Sequence, residues 1–238
     1  SRGRVSTGPE MGEHRGAFAV DGALTRTVRD AALALDVVGH PWPGDPYHAP
    51  PQPGSYVQVV EQAQQRPPQG LRIALSNGGT PEVAAVVAAA AAQLEQLGHR
   101  LEVGHPDDWY DDDVTDQTIV IRTVSMAREL DTWAARIGRP IVEGDVEDSN
   151  FWSAELGRTL QGTLYVSAQD WLAGWTRRTA TFWNDHDLLL TPVLGAVPPP
   201  IGHLSDPREG QQRLRELIGF VDQANVSGQP AISVPLGM

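Results

Sequence analysis

The residues of this sequence that could carry chemistry are serines, histidines and aspartates, because the chain contains no lysine and no cysteine. All 18 of its basic residues are arginines, and the pKa of arginine is too high for a general base at neutral pH. The missing lysine excludes a lysine-containing phosphate loop, a Schiff base and a Ser–Lys pair within these residues. The missing cysteine excludes a disulfide, a thiol nucleophile and a thiolate metal site.

Three local constellations of the remaining residues could do chemistry, but each lacks the spacing that its chemistry needs. Ser227 lacks the first glycine of a Gly-x-Ser-x-Gly elbow, so we expect no self-contained Ser–His–Asp triad. The run from Asp185 to Asp187 could suggest a metal, but adjacent residues on a helix do not face one another. The third constellation holds six aspartates from Asp107 to Asp116. It lacks the ligand spacing, central glycine and closing glutamate of a calcium loop, which favours a solvated loop.

The composition fits a chain that buries one sizeable core. The sequence has 238 residues, of which 40% are hydrophobic, enough for one large α/β domain or two small ones. A net charge of −12 argues against nucleic acid as a partner. No apolar run reaches 18 residues, so we expect no membrane span. We also expect a cytoplasmic protein. Because the sequence starts at Ser1, the absence of a signal peptide is uninformative. A dinucleotide fingerprint is also absent, and we expect no cofactor and no metal.

Helical and strand patterns alternate along the chain, and this order predicts an α/β fold. The predicted helices cover residues 25–38, 81–97, 118–137, 151–161, 168–186 and 208–225. The predicted strands cover residues 71–75, 100–103, 187–192 and 230–235. The first two strands and the helix between them form a βαβ unit, which we expect to be parallel and right-handed.

Local signals mark the ends of two predicted helices. Thr27 is followed three residues later by Asp30, which resembles a capping box. Thr80 precedes Pro81 as an N-cap precedes a proline at the first helical position. Gly39 suits the position just after the first helix.

Four segments of the sequence resemble the amidase signature family of amide hydrolases, and they occur in the family's order. They are SRGRVS at residues 1–6, LTRTVRDAALALDVV at 24–38, DLLLTP with PPPIG at 187–192 and 198–202, and NVSGQPAISVP at 225–235. The resemblance is nearest to bacterial cyclic-amide and aryl-amide hydrolases. It implies that residues 1–238 belong to a single α/β domain, truncated at both ends. The expected fold has a mixed twisted sheet with helices on both sides.

The resemblance also implies a reaction. In the family, a lysine base relays a proton through a bridging serine to a nucleophilic serine, which attacks the amide carbonyl and forms an acyl-enzyme that water hydrolyses. These three residues belong to motifs that precede the segment similar to residues 1–6. We therefore assign no catalytic residue and expect the fragment alone to be inactive. The alternative is a complete, non-catalytic relative that binds a partner or a small molecule.

Rough position along the chain, rather than a motif, indicates a substrate pocket. In the family, the variable middle of the chain walls that pocket, and here it would contribute Ile121, Val124, Ser125, Met126 and Trp152. The alternative is that all five residues belong to the helix core. The expected ligand is a small-molecule amide. If strands are missing from the sheet, a homodimer or a complementary upstream fragment should cover its edges.

Structural roles are expected for several other polar residues in the resembling segments. Arg26 and Arg29 should tie loops to the first helix, and Asp30 should stabilise the start of that helix. Asp187 and Asn225 should hydrogen-bond nearby backbone rather than react.

Overall fold

The computed structural model describes residues 2–9, 11–12, 15–52, 54–205 and 209–236. Within these ranges the regular elements are α1 (Val28–Val38), α2 (Tyr56–Gln65), β1 (Arg72–Leu75), α3 (Pro81–Gln96), β2 (Arg100–Val103), α4 (Asp112–Ile137), α5 (Asp148–Thr159), α6 (Gly162–Ala180), β3 (Leu188–Leu190), α7 (Gly210–Ile218) and α8 (Asp222–Ser227). Short 3-10 turns cover Thr181–Asn184 and His203–Ser205. The predicted α/β class is confirmed. None of the described helices is both long and apolar enough to cross a bilayer.

The three strands form a parallel sheet in the order β2-β1-β3. Ile73 on the central strand lies opposite Leu101 on one side and Leu188 on the other. The predicted parallel βαβ unit of β1, α3 and β2 is therefore confirmed. At the start of β3, Asp187 accepts hydrogen bonds from the backbone N–H of Arg72 at 2.8 Å and from its guanidinium at 2.9 Å. This contact fixes the register of β3 on β1.

Helices α4, α5 and α6 pack together and bury most of the core. One cluster consists of Trp109, Val114, Ile121, Ala168, Leu172, Trp175 and Val226. Trp175 is fully buried and stacks on Trp109, with 5.5 Å between the ring centroids. A second cluster holds Ala127, Leu130 and Ala154 between α4 and α5. Apolar residues recur at helical spacing along each of these helices, so each helix turns one apolar face toward the core.

The helix starts match their local signals in part. Thr27 accepts a hydrogen bond from the backbone N–H of Asp30 at 3.0 Å, so the predicted cap is confirmed and α1 begins at Val28. Pro81 occupies the first turn of α3, but the side chain of Thr80 accepts no capping bond. Gly39 closes α1 by donating to the carbonyl of Leu35 at 2.8 Å, with a negative φ rather than a left-handed one.

The aspartate-rich segment is more ordered than a solvated loop. Asp111 caps α4 by accepting a hydrogen bond from the backbone N–H of Asp113 at 2.9 Å. The helix therefore begins at Asp112, six residues before the predicted start, because carboxylates in a first turn interact favourably with the helix dipole. Trp109 is only 3% exposed and belongs to the core. The solvated-loop prediction is wrong for this part of the segment.

Two predictions near the end of the chain are wrong. The helix predicted over 208–225 is two helices, α7 and α8, and its first residue, Arg208, lies outside the described residues. The strand predicted over 230–235 is not formed: this segment has no ladder partner among the described residues. A strand needs a neighbour, and the local apolar pattern does not supply one. The described sheet thus has three strands rather than four.

Several of the expected structural roles can be located. Arg29 forms an ion pair with Glu61 at 3.4 Å and so ties α1 to α2, a helix that the sequence patterns did not predict. Asn225 lies inside α8 rather than before a turn, and its carbonyl accepts a hydrogen bond from Arg2 at 3.3 Å. Gly228 ends α8 with a φ of 74°, a conformation that favours glycine.

Candidate substrate-binding site

A cavity of about 370 Å³ lies between the loop around Arg15 and helices α4 and α6. Its lining residues are Met11, Gly12, Arg15, Gly16, Val124, Ser125, Arg128, Glu129 and Tyr165. The four that come from α4 are spaced i, i+1, i+4 and i+5, so they share one face of the helix. The volume falls in the range of small-molecule sites, roughly 300–1,000 Å³.

The loop wall of this cavity has an unusual backbone. Arg15, Gly16 and Ala17 follow one another with φ values of 50°, 68° and 64°. The left-handed region is costly for residues other than glycine, so surrounding contacts must hold this conformation. Arg2 supplies one of them, since its Nε donates to the carbonyl of Ala17 at 3.0 Å. Such strained segments cluster at functional sites, which makes this wall a candidate site element.

Gly16 allows the loop to rest directly on helix α4. A Cβ at this position would lie 2.5 Å from the Cγ2 of Ile121, closer than real atoms approach. Ile121 is fully buried and supports the floor of the cavity from behind. A larger residue at position 16 would therefore lift the loop and alter the cavity.

The charges around the cavity are unevenly paired. The Nη2 of Arg15 lies 3.2 Å from the Oε2 of Glu129, so these two side chains join the loop to α4. Arg128 is exposed, and no acidic side chain of the described residues forms an ion pair with it. The described lining thus carries two guanidinium groups and one carboxylate, a formal charge of +1 in a chain of net charge −12.

The structure brings only some of the five predicted pocket residues together. Val124 and Ser125 line the cavity, and Ile121 lies behind it in the core. Met126 faces the second core cluster between α4 and α5. Trp152 lies on α5, is 58% exposed and meets Phe151 edge-on, with centroids 5.7 Å apart. Met126 and Trp152 are therefore not part of the cavity lining.

The charged and loop residues of this site have no motif in the sequence that predicts them. Arg128 and Glu129 follow Val124 and Ser125 by one helical turn, and this spacing could have indicated a shared face. Arg15 offered no such signal, because it lies in an irregular segment whose position is set by Arg2 and Glu129. Glu129, which pairs with Arg15, lies 114 residues further along the chain, so no local sequence pattern connects the two.

A second, smaller cavity lies beside the proline-rich loop. Its volume is about 40 Å³, which suits a water molecule rather than a substrate. Asp45 accepts hydrogen bonds from the backbone N–H of Trp42 at 2.7 Å and from the hydroxyl of Ser6 at 2.7 Å. These bonds hold the pKa of Asp45 below its usual range. The arrangement orders the loop rather than forming a reactive site.

Comparison with known proteins identifies the class. The Amidase family model matches residues 1–238. The chain is 32% identical over 257 residues to the 6-aminohexanoate-cyclic-dimer hydrolase of Paenarthrobacter ureafaciens, a match that covers 100% of this chain and 51% of that protein. The enzyme of the same description from Pseudomonas sp. (strain NK87) is 31% identical, with the same coverage. The chain spans about half the length of the curated relatives it matches.

Solved structures agree with this result. A structure of 6-aminohexanoate cyclic dimer hydrolase complexed with substrate superposes with a TM-score of 0.90 at 32% identity, covering 100% of this chain and 52% of that one. A bacterial aryl acylamidase of the amidase signature family gives a TM-score of 0.76 at 22% identity, covering 100% and 51%, and shows the fold alone. The fold is that of the α/β amide hydrolases. The chain belongs to the amidase family, as the four sequence segments indicated.

Proposed function

We propose that this chain forms the substrate-pocket part of a serine-dependent amide hydrolase that cleaves carboxamide C–N bonds of small molecules. The observation that carries the proposal is the cavity on α4, found in a chain that the Amidase family model matches along its whole length. Val124 and Ser125 would contact the substrate, and Ile121 would support them from the core. Met126 would act through packing between α4 and α5, and Trp152 would not contact the substrate, because neither lines the cavity.

The proposed reaction follows the family's chemistry. A serine hydroxyl loses its proton to a lysine base through a bridging serine and attacks the amide carbonyl. The C–N bond then breaks, the amine leaves with a proton, and water hydrolyses the acyl-enzyme to the free acid. These residues contain no lysine, so the proton-transfer groups would be supplied by further sequence of the same domain. The 238 residues alone would be inactive.

The exposed apolar side chains of the sheet fit this assignment. Val103 is 72% exposed and Leu188 is 49% exposed. Apolar strands of parallel sheets are normally covered on both faces. The remaining part of a cytoplasmic amidase domain, or a second copy of this chain, would cover them.

A second candidate function is a non-catalytic relative that binds a partner or a small molecule, because the cavity on α4 could bind a ligand without any proton-transfer group. The two functions are separated by assaying the product of the complete open reading frame beside the verified 238-residue chain. The substrates are 6-aminohexanoate cyclic dimer and an aryl amide, and released amine is measured. We expect turnover by the complete product and none by the shorter chain.

Two other results would change this assignment. Turnover by the shorter chain, with its mass verified, would show that the reactive groups lie within these 238 residues. A folded complete product that hydrolyses neither amide but binds one of them would instead support the non-catalytic function.

A further inference from the structure

Most arginines of this chain already have a structural partner. At least nine form ion pairs with acidic side chains: Arg15, Arg29, Arg72, Arg122, Arg139, Arg158, Arg178, Arg213 and Arg215. Arg2 and Arg4 donate to backbone carbonyls instead. Arg128 is one of the arginines for which no acidic partner lies among the described residues, and it also lines the large cavity.

The surroundings of Arg128 leave its charge available to a ligand. The nearest carboxylate along the helix is Glu129, and the pair with Arg15 at 3.2 Å already engages it. A guanidinium presents parallel N–H donors that match the two oxygens of a carboxylate. Because the described lining carries a net positive charge, the cavity should attract an anion despite the negative charge of the whole chain.

The rest of the lining suits the uncharged part of such a ligand. Val124 lies one turn before Arg128 on the same helix face and offers an apolar surface. Tyr165 lines the cavity from α6 and offers an aromatic one. Ser125 offers a hydroxyl group that can donate to or accept from an amide. At about 370 Å³ the cavity has room for a chain of several methylene groups between two polar ends.

We propose that Arg128 makes this cavity selective for amides that also carry a carboxylate, with the carboxylate bound by the guanidinium and the carbon chain lying along Val124 and Tyr165. This inference rests on the proposed function, because it names the substrate class of the same site. Arg128 is a specificity-determining residue here and takes no part in bond cleavage.

A pair of probes matched in length separates charge from shape. Adipamate carries an amide and a carboxylate, whereas hexanamide carries the amide alone on a chain of the same length. Affinities are measured by calorimetry on the complete protein and on its Arg128→Gln variant. We expect adipamate to bind at least about tenfold more tightly than hexanamide, as a charge-assisted hydrogen bond predicts. Arg128→Gln should abolish that preference by weakening the binding of adipamate more than that of hexanamide.

The control is Arg177→Gln, which removes the same charge from an exposed position on α6 outside the cavity. Arg177→Gln should leave the affinities for adipamate and hexanamide unchanged. If Arg177→Gln weakened adipamate binding as much as Arg128→Gln does, the effect would be one of net charge alone, and the proposal would be wrong. Arg128→Lys should recover part of the preference, because it keeps the charge without the planar donors. Inorganic phosphate is the third probe: if it binds as tightly as adipamate and displaces it, the cavity is a general anion site and the substrate assignment is wrong.

Binding and turnover are recorded separately so that the two proposals can fail independently. Hydrolysis of hexanamide and adipamate at equal efficiency by the parent and Arg128→Gln proteins would overturn the selectivity and leave the amidase function standing. If adipamate binding depends on Arg128 but adipamate is not hydrolysed, the selectivity of the cavity stands and the amidase function is overturned.

Discussion

The helices that carry the cavity and the sheet beside them differ sharply in how completely they are packed. In α4, α5 and α6, the side chains of Ile121, Ala154 and Trp175 are fully buried. In the sheet, Ile73 and Ala74 on the central strand are buried, but Val103 and Leu188 on the outer strands are about half exposed or more. The helices enclose a core where they face one another, although their outer faces also expose apolar side chains such as Trp133, Trp152 and Val166. The outer strands of the sheet lack even that cover on one face.

This difference explains how the cavity on α4 can be well formed in a chain that spans about half the length of the relatives it matches. Its main wall is α4, which is held from behind by Ile121 and by close contact with α5. The opposite wall, the loop of Arg15 to Ala17, is held by two single contacts, one to Arg2 near the start of the chain and one to Glu129 on α4. Preorganised side chains on a rigid element fix a ligand more closely than side chains on a loop.

The largest expected effect tests the helical core directly. Trp175→Ala removes a fully buried indole that stacks on Trp109 and donates to the carbonyl of Asp108 at 2.8 Å. We expect the free energy of unfolding to fall by about 4 kcal/mol, since a cavity and an unpaired carbonyl would remain. Urea-induced unfolding followed by circular dichroism measures the change.

The matched substitution is Trp152→Ala, at a side chain that is 58% exposed on α5. It should lower the free energy of unfolding by about 1 kcal/mol or less, because little apolar area is removed from the interior. Equal losses in the two variants would mean that another surface covers Trp152 in solution. The contrast between the buried core of the helices and the exposed outer face of α5 would then no longer hold.

A second, smaller effect tests how α5 positions the cavity wall. A Cβ at Gly157 would lie 2.1 Å from the carbonyl oxygen of Thr123 and 2.9 Å from the backbone nitrogen of Val124. Gly157→Ala must therefore separate α4 and α5, and we expect a loss of about 2 kcal/mol in the free energy of unfolding, despite the better helix propensity of alanine.

Gly162→Ala is the control for this substitution, because no atom lies within 4 Å of a Cβ built at Gly162. It should change stability by no more than about 0.5 kcal/mol. Gly157→Ala should also weaken hexanamide binding, since Val124 lines the cavity. Unchanged stability in Gly157→Ala would show that the helices have freedom to separate and that the wall is not rigid.

The sequence predicts an element well where the contacts of that element are local in the chain, and poorly where they are distant. Helix α3 was predicted within one residue, because Pro81 and the following alanines act locally. Strands β1 and β2 were predicted with their pairing, since a short βαβ unit contains its own neighbours. The segment 230–235 has an equally apolar pattern but forms no strand among the described residues, because a strand depends on a partner that its own sequence does not specify.

The candidate site follows the same division. Val124 and Ser125 were within reach of the sequence because position along the family's fold indicated α4. Arg128 and Arg15 were not, since their importance depends on which acidic groups lie nearby in space. Trp152 was selected from the same stretch of sequence, and only the rotation of α5 shows that it points away from the cavity lining.

The smallest expected effect at neutral pH concerns the sheet, where an exposed ion pair holds β3 to β1. The hydrogen bond from the Arg72 guanidinium, aided by the Arg72 backbone N–H, lowers the pKa of Asp187 from 3.8 to about 2. A lowered carboxyl pKa adds stability above the ordinary value near pH 4, and this stability is lost as the pH falls through about 2. Because the pair is exposed, its contribution at neutral pH should be small.

In Asp187→Asn, the free energy of unfolding should therefore fall less steeply than in the parent as the pH drops from about 4 to about 2. The fall should not vanish, because the hydroxyl of Ser55 and neighbouring donors lower the pKa of Asp36 to about 2 as well. Urea midpoints measured across this range test the prediction, with Asp170→Asn on the exposed face of α6 as the control. An identical fall in Asp187→Asn and the parent would mean that β3 is held by its backbone ladder alone. The sheet would then be less dependent on side-chain contacts than its exposed strands indicate.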